Sequence, residues 1–109
     1  MPATAIGPIS ASPGLPGGVS SAINITAAQV IKAARGICAT LICIAPGSAG
    51  SVVLNDCATT GAAAATNEFF SKLFSALSAG QVIPLTWPVA AGIVVSSVPT
   101  AGVFSIAFS

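Results

Sequence analysis

The sequence predicts an all-β protein, a small antiparallel β-sandwich (jelly-roll-like) with one short helix and an extended N-terminal arm. Three observations carry that class. Apolar, β-branched runs of strand length recur between Gly and Pro turn signals from Ser20 onward. The final run, VFSIAF, alternates large apolar with small side chains at the two-residue period of a strand. Only one stretch, TNEFFSKLFSALSAGQ, shows a helical apolar stripe.

The chain divides into an arm, residues 1–19, and a sandwich domain, residues 20–109. The arm has no charged side chain and carries Pro2, Pro8, Pro13 and Pro16 among glycines, so it is non-helical and extended. Nothing in its own composition drives it to fold. It is expected to lie against a neighbouring subunit, with Pro8, Pro13 and Pro16 in the contact; folding back on its own domain is the alternative.

INITAAQVIKAA, ICATLICIA and SVVLNDCAT then read as three consecutive antiparallel strands. With Pro46 to Ala49 as the turn, Ala45 faces Gly50 and the register sets Cys38 opposite Cys57. In the predicted helix, Thr66 or Asn67 caps the start, Glu68 and Lys72 stand four apart, and Gly80 ends it. Its stripe of Phe69, Phe70, Leu73, Phe74 and Leu77 either closes the sandwich or docks on a partner, the latter through Phe70 and Phe74.

QVIPLTWPVAAG supplies a strand that Pro84 and Pro88 confine to an edge, with Trp87 between them. Last comes a hairpin around PTAG, pairing Ser97 with Phe104, Val95 with Ile106 and Ile93 with Phe108. One face of it, Ile93, Val95, Phe104, Ile106 and Phe108, is core. The other, which includes Val94 and Val98, is small and uncharged and suits a protein contact. These pieces add up to about six strands.

Composition narrows function further. The 109 residues make one domain, and 54% are hydrophobic against 5% charged, so the surface lacks the charge that usually keeps a soluble domain monomeric. Lys32, Arg35 and Lys72 against Asp56 and Glu68 leave a net charge of +1, which attracts neither nucleic acid nor anionic lipid. Prolines and glycines interrupt every apolar stretch before about 20 residues, so no spanning helix is expected. The first 19 residues have no basic start, so no signal peptide is expected and folding in a host cytoplasm follows. His and Tyr are absent and Asp56 and Glu68 are the only carboxylate side chains, so no catalytic triad, His-based metal site or cofactor is expected, and the chain reads as no enzyme. Cys38, Cys43 and Cys57 show no C-x-x-C spacing. They are either three buried thiols or a Cys38–Cys57 bond with Cys43 left over.

The order VIKAARG, GSVVLND, IPLTWP, GIVVSSVP and a closing VFSIAFS resembles a group of small β-sandwich virion proteins of tailed bacteriophages, over roughly residues 23–109. The Phe-rich stretch, the cysteines and the Pro-rich arm depart from that pattern. The resemblance implies a structural role on the capsid surface of a virion: a decoration or cement protein that binds the major capsid protein and itself, as a homo-oligomer and expected trimer, without nucleic acid or membrane. A tail, neck or fibre-base adaptor, or an adhesin-type assembly subunit, is the alternative.

Overall fold

Eight strands form two packed four-stranded sheets in the computed structural model, which describes residues 20–109. The expectations for the arm, Pro8, Pro13 and Pro16 included, lie outside the described residues. The strands are β1 (Ser20–Ile25), β2 (Gln29–Lys32), β3 (Gly36–Ala45), β4 (Ser51–Asn55), β5 (Glu68–Leu73), β6 (Val82–Val89), β7 (Ile93–Ser97) and β8 (Val103–Phe108). Sheet I has the order β1-β8-β3-β6 and sheet II the order β2-β7-β4-β5. All pairs are antiparallel. Pairing β1 with β8, β2 with β7, β3 with β6 and β4 with β5 is what results when one long hairpin, its tip between β4 and β5, rolls around a core. The predicted sandwich is therefore the observed one, with jelly-roll strand order.

Two predicted hairpins give way to this roll. INITAAQVIKAA is two strands, β1 and β2, in different sheets, and β3 and β4 likewise face each other across the core instead of sharing a ladder. β7 and β8 do the same, so Ser97, Val95 and Ile93 do not pair with Phe104, Ile106 and Phe108. The inward assignment still holds: Ile93, Val95, Phe104 and Ile106 are buried and Phe108 packs against them. A turn at PGSAG or PTAG serves a cross-over as well as a hairpin. At Gly47, φ is +75° and a Cβ would collide with the Thr100 carbonyl, which accepts the Ser48 N–H at 3.0 Å; this close approach ties the two cross-over turns together.

The predicted helix is absent. Residues 68–73 form β5, which pairs with β4 in the register Leu54 to Phe70 and Val52 to Lys72, and Phe74–Ala76 is a short 3-10 turn. The aromatic and β-compatible side chains gain a full ladder on β4, whereas a helix here would have had to form alone. Gly80, at φ +85°, does end a segment, but it is the turn into β6, where its N–H donates to the Cys43 carbonyl.

The core lies between the sheets. Phe74 and Phe104 are its largest fully buried side chains and meet edge to face at 5.6 Å and 62°. Where the sandwich opens between edge strands β5 and β6, Phe69 and Trp87 stack nearly parallel at 6.3 Å and close that side.

Candidate interaction face

The chain carries five charged side chains, and none of them lies on sheet I. Lys32 is on β2, Glu68 and Lys72 are on β5, and Arg35 and Asp56 stand in connections. The outer face of sheet I follows from register. Ile42 sits between Val82 on β6 and Ser105 on β8; Thr40 sits between Pro84 and Ala107, and Ala107 is followed by Ser21 on β1. Ile37 and Pro88 form the next row. These residues point away from the core because their neighbours Cys38, Leu41, Cys43, Phe104 and Ile106 are buried in it. The face is thus isoleucine, valine, proline, alanine and small hydroxyls across four strands. Val82 on edge strand β6 is 54% exposed and Ile23 on the opposite edge strand, β1, is 70% exposed.

Opposite this face, polar groups are used internally. Asn55, the one buried polar side chain among the described residues, donates from Nδ2 to the Ala64 carbonyl and to Asn67 Oδ1 at 2.9 and 2.8 Å, and its Oδ1 accepts from Ser96 Oγ at 2.6 Å. Asp56 accepts the N–H groups of Ala90, Ala91 and Gly92 at 2.9, 2.8 and 3.2 Å. Burial alone would raise the Asp56 carboxyl, but these three donors outweigh it and hold the group below its ordinary value. A Cβ at Gly92 would collide with the Lys32 and Cys57 carbonyls, so the chain can make this turn only with glycine there. Both clusters fix the β4–β5 and β6–β7 connections. Among the described residues there is no pocket and no group of three metal-ligating side chains.

The residues singled out from sequence fall in different places. Phe74 and Val94 are fully buried within the chain, so neither is the contact residue expected of it: Phe74 sits in the 3-10 turn after β5 and packs in the core, and Val94, outside that core cluster, alternates on β7 with the inward Ile93 and Val95. Phe70 and Val98 are half-buried and pack against the core. Cys38 does not face Cys57: its rungs are with Trp87 and Phe108, because β3 and β4 belong to different sheets. Cys38, Cys43 and Cys57 are free buried thiols. Burial pushes the Cys38 thiol up to about 11 and also raises Cys43, while Cys57 Sγ lies 3.4 Å from the Thr59 carbonyl as a donor. Sequence reasoning missed Ile37, Ile42, Ile44 and Val82. Their signal was present in the chain as the absence of any charge from residues 36 to 45 and 82 to 89.

Comparison with family models, with curated proteins and with solved structures finds no match.

Proposed function

We propose that the chain is a non-enzymatic structural subunit of a virion, a decoration protein that seats the outer face of sheet I on the capsid shell, against the major capsid protein, and stabilises contacts between capsomers. The segregation of charge carries this reading: all charged side chains lie off a four-stranded face that is itself apolar. A face of that kind is costly in water and suited to a protein partner. Strands of six to ten residues in sheet I give it a span of roughly 25 Å by roughly 19 Å, about 480 Å² in projection. At about 25 cal/mol per Å² its burial contributes about 12 kcal/mol gross, against an association cost of about 4 to 15 kcal/mol. One copy is therefore held weakly, and many copies on a symmetric shell are held well.

The test has two parts. Quantitative mass spectrometry of purified particles should find hundreds of copies relative to the shell protein; a handful would place the chain on a tail or neck and overturn the decoration reading. An Ile37→Glu, Val82→Lys double variant, altered only at outward positions, should keep its melting temperature and lose particle occupancy. Full occupancy by that variant would show that sheet I is not the seat.

A further inference from the structure

We infer that the open edge of β1 pairs with β1 of a second copy, in antiparallel and two-fold fashion, joining two sheets I into one continuous eight-stranded sheet. This goes beyond the decoration reading, and of its two grounds for the occupant the area of the sheet I face rests on that reading.

A sandwich of two four-stranded sheets has four edge strands, here β1, β6, β2 and β5. Unpaired edges invite another strand, and proteins block them with charge, proline, brevity or distortion. β5 carries Glu68 and Lys72. β2 has only four residues, ends in Lys32 and shifts register after Val30.

β6 is blocked by proline, and the ladder shows on which side. Ile37 commits its N–H and C=O to Ser109, at 3.1 and 2.9 Å, so its rung with Pro88 on the other side is not hydrogen-bonded and the Pro88 nitrogen faces outward. Cys43 turns its groups to the β6 side, where its N–H donates to Gln81 and its C=O accepts from Gly80. By alternation Thr40 turns to β8, which leaves its partner Pro84 facing outward too. Two donors are thereby removed from that edge, and two rings stand in their place.

β1, SSAINI, has no charge and no proline. Its bulge, with Asn24 at φ +53°, begins only after Ala22, so Ser20, Ser21 and Ala22 keep regular rungs with Phe108, Ala107 and Ile106. Because Ala107 turns its backbone to Thr40, the Ser21 amide and carbonyl face outward, and no described strand pairs with them. Ile23, the most exposed of the large apolar side chains among the described residues, stands beside them at 70%.

The occupant is a second copy for two reasons. The edge is uncharged, so it meets itself without like-charge repulsion, and an edge that pairs antiparallel with itself is an isologous patch closing on two copies. Area gives the other reason. One sheet I face, about 480 Å², falls short of the roughly 800 Å² per partner of a stable interface, whereas a two-fold pair presents about 960 Å² in one uncharged plane. This two-fold pair differs from the trimer that the resemblance implies.

Sedimentation of the full chain between low-micromolar and submillimolar concentration tests the pairing, with two variants. Ser21→Pro removes only an outward donor, the device already present at Pro84 and Pro88; Ile23→Lys places a charge on the edge without touching the core. The expected result is a concentration-dependent dimer, weakened more than about tenfold in each variant, with unchanged melting temperatures. Hydrogen exchange at the Ser21 amide should show protection that rises with concentration. A monomer throughout, a trimer or larger ring, an equally strong dimer in Ile23→Lys, or Ser21 protection independent of concentration, as residues 1–19 covering their own β1 would give, overturns the inference.

Discussion

Replacing Phe104 by Ala tests the rolled core directly, since Phe104 on β8 of sheet I packs against Phe74, a residue of the predicted helix that the structure places in the turn after β5. Its ring is fully buried on β8, with rungs to Ile25 on β1 and Cys43 on β3, and it meets Phe74 from the sheet II side. Removing it opens roughly 100 Å³, which at about 24 cal/mol per Å³ is about 2.4 kcal/mol, and forfeits about 2 kcal/mol of transfer free energy. Loss of the edge-to-face pair adds about 0.5 to 1.5 kcal/mol. The expected total is about 5 kcal/mol, comparable to the whole stability of a domain this small, roughly 5 to 13 kcal/mol. Phe104→Leu, which keeps most of the volume, should cost about 1 to 1.5 kcal/mol and leaves a measurable transition. Urea unfolding followed by the fluorescence of Trp87 reads both, with a slope of about 1 kcal/mol per molar. In a double-mutant cycle of Phe104→Leu and Phe74→Leu, about 0.5 to 1.5 kcal/mol of coupling is expected. A cost below about 1 kcal/mol for Phe104→Ala, or zero coupling to Phe74, would refute the packing of β8 onto the Phe74 turn.

The thiols should be inert in the native protein and complete in the denatured one. No alkylation of Cys38, Cys43 or Cys57 is expected at mildly alkaline pH, because all three are buried and the Cys38 thiol is pushed up to about 11, whereas the denatured, unreduced chain should take three equivalents. A mass two hydrogen atoms short would show a bond. Asp56 predicts the acid response. Its carboxyl lies below the ordinary 3.8 in the fold, so its stabilising effect is present above the unfolded value and lost as pH falls through the folded one. Melting temperature should therefore drop below about pH 4, and Asp56→Asn should flatten that drop; an identical acid slope in the variant counts against the role given to the three amides.

What was legible in the sequence was the inward side of the last two strands, and what was not was their neighbours. Alternation marks Phe104 and Ile106 as inward whether β8 pairs with β7 or lies across the core from it, because both arrangements bury the same face. Turn chemistry is equally blind: PGSAG turns the chain, and only long-range pairing decides whether Ala45 and Ser51 end up in one ladder. The failed helix has a related cause. Phe69, Phe70, Leu73, Phe74 and Leu77 have helical spacing, but a strand and a following turn use them as well: Phe74 and Leu77 are buried, Phe69 and Phe70 half-buried and Leu73 exposed at the rim. Pro84 and Pro88 were read correctly as an edge signal because their restriction is local and needs no knowledge of partners.

The distribution of charge and of edge devices points the same way although neither depends on the other. The fold accommodates the uncharged stretch VFSIAFS because β8 is the second strand of sheet I, with Phe104 and Ile106 against sheet II and Val103, Ser105 and Ala107 facing out. The burden of solubility then falls on sheet II and the connections, where all five charges stand. If the blank face of sheet I were merely a poorly solvated surface, its edges would need the strongest blocking, since an apolar sheet with a free edge is the usual start of aggregation. Instead one edge of sheet I, β6, is doubly blocked by proline and the other, β1, carries no charge and no proline. Blocking one edge and leaving its opposite permits one added sheet and prevents a third, which is the condition for a closed pair and the reverse of the condition for a fibre.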